Sequence, residues 1–169
     1  MKLLVIRHAI AEDREEFART GQDDELRPLT AEGRRMMKQG ARGLRELVKT
    51  VDVLATSPLV RAAKTAQIVA AAYGGPRAQD VEQLKPETPP ESLLKWLGKH
   101  ADASVVAVVG HEPHLGTFVS WLLTGRQKSF VELKKGGACL LELDVAMKQG
   151  RARMSWLLTP AQLRGLRGD

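Results

Sequence analysis

An internal disulfide is excluded, because the chain holds a single cysteine, Cys139. It lies in the apolar run Ala138-Cys139-Leu140-Leu141, which reads as a packed thiol rather than a reactive one and fits a reducing compartment. Aromatic residues are scarce as well, at 4%. A net charge of +6 invites a nucleic-acid partner, but stacking platforms would be scarce and the basic residues are spread over the whole chain. The charge therefore reads as a solvated basic surface, with some general attraction for anionic substrates, and no nucleic acid is expected. No apolar stretch approaches the roughly 20 residues of a membrane span. The opening apolar run, Leu3 to Ile6, is too short for a secretion signal and is ended at once by Arg7-His8. These absences leave a soluble, cytoplasmic chain, and its 169 residues are most simply one domain, 1–169.

What the sequence does have is a series of apolar runs that stop at unusual polar residues. Leu3-Leu4-Val5-Ile6 is a buried strand by pattern and ends in Arg7-His8. A polar segment, Ala9 to Pro28, follows; its length suits an active-site flap rather than a tight turn. Thr30 reads as an N-cap, with Glu32 in the first turn of a helix that sets Met36, Gly40, Leu44, Leu47 and Val48 on one face. A second strand, Val51 to Ala55, ends at Thr56-Ser57-Pro58. The next helix carries Leu59, Ala63, Ala66, Ala70 and Tyr73 on one side and is stopped by Gly74-Gly75-Pro76.

A third short strand is expected over Val81 to Leu84, then a proline-rich turn from Lys85 to Pro90. Pro90 suits the start of a short helix, Glu91 to about His100, that buries Leu93, Leu94 and Leu97. Val105 to Val109 is continuously apolar, as a strand covered on both faces must be, and ends at Gly110-His111-Glu112-Pro113. Leu115, Phe118, Val119, Leu122 and Leu123 then mark an amphipathic helix. Cys139 to Val145 and Ala152 to Trp156 read as an antiparallel hairpin at the sheet edge, with a short helical or irregular tail from Leu158-Thr159-Pro160. Strands alternating with helices give an α/β fold: a three-layer α/β/α sandwich on a mostly parallel sheet, with an antiparallel C-terminal edge hairpin.

Parallel strands place their carboxyl ends on one edge, where ligands bind in open α/β sheets. Arg7 and His8, Ser57 with Arg61, and His111 would thus converge. Two imidazoles and two guanidiniums make a site for a dianion, because arginine forks match phosphate oxygens. Helices starting near Leu59 and Pro113 aim their N-termini at the same edge. His111 and His114 do not suggest a metal pair, since no further histidine or cysteine sits at ligand spacing and Pro113 separates them.

Arg7-His8-Ala9, Ser57-Pro58-Leu59-Val60-Arg61-Ala62 continuing to Thr65-Ala66, and Gly110-His111 together resemble the histidine phosphatase superfamily, whose fold is phosphoglycerate mutase-like. Arg27-Pro28-Leu29-Thr30, Thr88-Pro89, Gly136-Gly137-Ala138 and Trp156 to Pro160 look like the small SixA-type phosphohistidine phosphatases, so the resemblance runs nearly end to end. It implies a metal-independent hydrolase without cofactors, in which His8 is phosphorylated and then releases phosphate to water. It also implies that Arg7, Arg61 and His111 hold the phosphoryl oxygens, with Ser57 as a further pocket residue. The implied partner is a phosphorylated protein histidine, such as that of a phosphotransfer domain in a signal-transduction relay. A small phosphate ester is the alternative substrate, and a non-catalytic phosphate-binding module the third reading.

Two departures stand out. Ala9 replaces the family's usual glycine. No acid is placed unambiguously for protonating a leaving oxygen; Glu112 and Glu82 are the main candidates, with Glu87 and Asp13 behind them. An alkoxide needs such an acid far more than an imidazole does, so the sequence leans towards a phosphorus–nitrogen bond.

Overall fold

The computed structural model describes residues 1–75 and 77–166. Its strands are β1 (Lys2–Arg7), β2 (Val53–Thr56), β3 (Gln79–Asp80), β4 (Val105–Gly110), β5 (Ala138–Glu142) and β6 (Arg153–Leu158). Its helices are α1 (Arg14–Ala18), α2 (Ala31–Leu47), α3 (Val60–Tyr73), α4 (Pro90–Gly98), α5 (His114–Thr124) and α6 (Pro160–Gly165). The strands form one six-stranded sheet in the order β3-β2-β4-β1-β5-β6. The first four pair in parallel, and β5 and β6 add on antiparallel.

Period-two alternation along the central strands explains the layering. Leu4, Ile6, Leu54, Ala107 and Val109 point to one face, where Met37, Leu44, Ala66, Val69 and Leu163 of α2, α3 and α6 cover them. Leu3, Val5, Ala55, Val106 and Val108 point to the other, beneath Leu93, Leu97, Leu115, Phe118 and Leu122 of α4 and α5. Every residue of β4 is buried, as a middle strand with helices on both faces requires.

The expected α/β sandwich, with its mostly parallel sheet and C-terminal antiparallel strands, is the observed one. Thr30 caps α2 through its Oγ1, which accepts from the Gly33 amide at 2.9 Å, and Pro90 opens α4. Several details differ. The inward face of α2 is set by Met37, Gly40, Ala41 and Leu44, while Leu47 is exposed. Gly40, Leu44 and Val48 are buried as expected, Met37 takes the place of Met36, and Gly33 and Gly43 fill much of the remaining contact. On α3 the buried residues are Arg61, Ala62, Thr65, Ala66 and Val69; the expected Ala66 is among them, and the expected Ala70 and Tyr73 pack half-buried against the same core. The third strand is Gln79–Asp80, and Glu82–Leu84 is a 3-10 turn whose Leu84 enters the core. Gly74 ends α3 in the left-handed conformation at φ 58°; the expected stop extended to Pro76, which lies outside the described residues.

The Ala9–Pro28 segment is more structured than a plain loop. Asp13 caps α1 by accepting from the Glu15 and Glu16 amides, and Asp23 caps a 3-10 turn at Asp24–Leu26. A bridge between Ala11 and Leu29 closes the segment at its base.

Candidate active site at the carboxyl edge of the parallel strands

Register brings the polar strand ends together. Arg7 pairs with Gly110 across β1 and β4, and Thr56 with Val109 across β2 and β4. One residue further, the His8 amide donates to the Gly110 carbonyl at 3.0 Å and the Ser57 amide to the Val109 carbonyl at 2.9 Å. His8, Ser57 and His111 therefore emerge side by side, and all three are buried. The His8 and His111 ring centroids lie 5.1 Å apart. Arg61 arrives from the first turn of α3, on the face that the helix presses inward.

The backbone around His8 is held from three sides. Gly136, at φ 79°, turns its amide to the carbonyls of Arg7 and His8 at 3.2 and 3.0 Å. That left-handed backbone suits glycine, which accounts for the Gly136-Gly137 pair before β5. The Ala9 amide donates to Thr65 Oγ1 at 3.0 Å, and the Thr65 hydroxyl donates to the Arg61 carbonyl at 2.8 Å. Ala9 is thus accommodated where the family pattern has glycine, with its own amide tied to α3.

His8 Nδ1 lies 2.7 Å from the Ala9 carbonyl. A carbonyl only accepts, so Nδ1 carries the hydrogen and Nε2 keeps the lone pair of the neutral ring. Burial, opposed by that backbone hydrogen bond and aided by Arg61, Arg7 and Arg27, pulls the His8 pKa down to about 3. Burial together with His8 and Arg61 pulls His111 down to about 2. Both rings are therefore neutral near pH 7, and His8 is an available nucleophile. His111 Nε2 sits 2.9 Å from Ser57 Oγ, an exchangeable donor and acceptor.

The guanidiniums are only partly satisfied. Arg7 Nη1 donates to the Leu133 carbonyl at 2.6 Å. Arg61 Nη1 donates to the Asp24 carbonyl at 2.9 Å, and its Nη2 pairs with Asp24 Oδ2 at 3.2 Å. Arg7 Nε, Arg61 Nε and His111 Nδ1 are buried without a hydrogen-bond partner. Orphaned buried nitrogens are costly and rare enough to need a reason; here two of them are cationic and all three belong to the converging residues.

Asp24 and Arg27 join this group and were not singled out from sequence. Arg27 is buried, with Nε on Asp24 Oδ1 at 2.8 Å and Nη1 on the Glu12 carbonyl at 2.8 Å. Although partial burial pulls the Asp24 carboxyl upward, Arg27, Arg61 and Arg14 hold it below the ordinary carboxylate range. Arg27 had a signal, since it opens the Arg27-Pro28-Leu29-Thr30 segment. Asp24 had none: nothing distinguishes it from Asp23 and Glu25 beside it.

The two carboxylates named as acids fare differently. Glu112 is half-buried, with Oε1 accepting from the Leu133 amide at 2.8 Å and Oε2 from the Gly116 amide at 3.2 Å. Both oxygens thus brace the 129–133 loop against α5, although burial raises the Glu112 pKa despite those amides. Glu82 pairs with Lys85 at 3.1 Å and its side chain is 69% exposed.

A six-stranded α/β sheet with two imidazoles and two arginines at one edge defines a class of phosphoryl-handling proteins, and comparison with known proteins agrees. The model of the histidine phosphatase superfamily (branch 1) matches residues 3–85. An uncharacterized protein of Picosynechococcus sp. (strain ATCC 27264 / PCC 7002 / PR-6) is 36% identical over 157 residues, covering 91% of this chain and 88% of its own. The structure of the protein histidine phosphatase SixA complexed with tungstate superimposes with a TM-score of 0.83 at 23% identity, over 96% of this chain and 99% of that one. The α-ribazole phosphatase of Shigella flexneri gives a TM-score of 0.73 at 17% identity, over 95% of this chain and 97% of that one. This chain belongs to the histidine phosphatase superfamily, and its fold is the one the SixA structures share. That membership supports phosphatase activity.

Proposed function

We propose that this protein is a metal-independent phosphohistidine phosphatase acting through a phospho-His8 intermediate. The observation that carries the reading is the facing pair His8 and His111, together with the unpartnered nitrogens on Arg7, Arg61 and His111. The first step is in-line attack of His8 Nε2 on phosphorus. The substrate's phosphorylated ring binds with its far nitrogen protonated, so the Nε2–P bond forms as the substrate's P–N bond breaks and the leaving imidazole departs neutral, while phospho-His8 keeps its Nδ1 proton. Water then attacks the phospho-His8 phosphorus, an O–P bond replaces the Nε2–P bond, the bonding pair returns to Nε2, and hydrogen phosphate leaves as the water's other proton passes to solvent.

Arg7, Arg61 and His111 bind the equatorial oxygens and stabilise their charge, with Ser57 orienting His111. The guanidinium charges supply the electrostatic stabilisation that a metal supplies in other phosphatases. Preference for a P–N bond rests on the acids: the Glu82 carboxylate is paired with Lys85, and both Glu112 oxygens are engaged by backbone amides. A leaving group that needs little protonation suits such a site.

Side-by-side turnover of a phosphohistidine protein and a panel of sugar phosphates tests the substrate. Higher kcat/KM on the phosphohistidine protein is expected; the reverse order would make this a phosphomonoesterase for small esters. Acid-stable or absent label after quenching with labelled substrate would remove the phospho-His8 intermediate, because phosphohistidine is acid-labile and alkali-stable.

A further inference from the structure

Five cations outside the catalytic cluster share one groove between α2 and α3. Arg34, Lys38, Arg42 and Arg45 fall on one stripe of α2, at spacings of three or four residues, and Lys64 faces them from α3. The groove encloses about 700 Å³, and half-buried Ile68 lies in its floor. Its charge is not neutralised. Among the described residues, none of the five has a carboxylate within ion-pair distance, whereas Arg35 on the same helix and Lys49 just past its end pair with Glu32 and Glu46. Arg34, Arg45 and Lys64 bond only neutral oxygens, those of Leu29, Ala72 and Gln67. Helix α3 contains no acidic residue.

The Arg34 and Lys64 end of the groove is formed by residues next in the chain to those that pack around His8. Lys64 lies beside Thr65, which binds the Ala9 amide, and one turn beyond Arg61. Arg34 follows Gly33, where a Cβ would meet the Ile10 carbonyl at 2.1 Å, so the first turn of α2 packs directly on the chain just past His8. From there the stripe runs 11 residues along α2, about 16 Å at 1.5 Å per residue.

We infer that this groove is a docking track for an acidic segment of the protein that carries the phosphorylated side chain. The inference rests on the phosphohistidine reading and names the chemistry of its partner. A cation-walled channel with an apolar floor matches a stretch of alternating carboxylate and small apolar residues. Its lining residues include no aromatic ring, so it lacks the stacking surface that single-stranded nucleic acid uses. Charge complementarity of this kind raises encounter rate and fixes orientation.

The test uses two peptides with the same phosphohistidine core and an extension of about a dozen residues, either Glu/Ala or Gln/Ala. The wild type should show about tenfold higher kcat/KM on the acidic peptide, through KM with kcat unchanged, and lose that advantage at high salt. Lys38→Glu/Arg42→Glu should abolish the advantage while leaving turnover of an unextended phosphohistidine peptide unchanged, because both side chains are exposed and unpaired. Equal kcat/KM for the two peptides, or an advantage that survives the double substitution, overturns the inference. If neither peptide is turned over, the functional reading fails. The groove is then read by fluorescence anisotropy of the labelled, unphosphorylated acidic extension. Binding that weakens at least tenfold in the variant sustains the docking track, and no such binding ends it. Tighter binding of an oligo-dT of similar length, undisplaced by the acidic peptide, would reassign the groove to nucleic acid.

Discussion

The two halves of the candidate site are built by different means. His8, Ser57 and His111 sit on the ends of three hydrogen-bonded parallel strands, buried under helices on both faces. Asp24 and Arg27 come from the connecting 9–28 segment, held by one bridge, short caps, ion pairs and the hydrogen bonds of Arg27 and Arg61 to its backbone. The strand-end half is fixed by the core itself, so its geometry costs little at the moment of reaction. The segment half is fixed by the same charges that a phosphoryl group would compete for. Asp24 places an anion on Arg61 and Arg27 where the substrate's oxygens are proposed to bind, so ligand binding must rearrange or share that contact.

Breaking the rigid half should have the largest effect. His8→Ala is expected to abolish turnover while circular dichroism and the unfolding midpoint stay close to wild type, since the ring makes one local hydrogen bond and is not part of the apolar core. Retained turnover would remove His8 as nucleophile. Arg61→Ala joins the two halves, because it removes both a proposed phosphate donor and the partner of Asp24. Loss of a transition-state donor costs about 100-fold or more in kcat. An effect below a few-fold would place Arg61 outside the reaction and leave it a structural tie to the 9–28 segment.

The same division decides what could be read from sequence. β1 and β4 are continuous apolar runs because both their faces are covered, and their polar ends follow from where such runs stop. Thr30, Pro90 and the α5 apolar stripe are local signals and were equally legible. The inward face of α3 was legible only in part, for a physical reason. Its buried side includes Arg61 and Thr65, so apolar periodicity points away from the side that the site occupies. Met37 displaced Met36 because the α2 contact is made by Gly33, Gly40 and Gly43, which let backbones approach and carry no hydrophobic signal. Asp24 was illegible because its role depends on where a distant helix puts Arg61.

Asp24→Asn sharpens the comparison from the segment side. The substitution keeps an oxygen for Arg61 and Arg27 but removes the competing charge. Inorganic phosphate, measured as a competitive inhibitor, should bind about threefold or more tightly, the modest size reflecting a part-exposed, screened carboxylate. Unchanged or weaker phosphate binding, with a fall in kcat, would mean that Asp24 orients Arg61 rather than competing for it.

The last expected effect is on stability, and it is read through the two imidazoles of the rigid half. Burial keeps His8 and His111 neutral in the folded protein, at about 3 and about 2, whereas both take up protons near 6.5 when unfolded. Between those values the unfolded chain binds more protons than the folded one, so stability rises with pH. The contribution is fully present above pH 6.5 and is lost as pH falls towards 3. Denaturant unfolding of the wild type should therefore lose stability across that window, and His111→Gln, which keeps a polar side chain in place without a titrating ring, should flatten the loss. If the variant's stability falls as steeply with pH as the wild type's, the neutral buried imidazoles are not its source. Saturating phosphate should oppose the loss in the wild type, because a bound dianion facing the rings favours their protonated forms and so raises the folded-state pKa values that define the window.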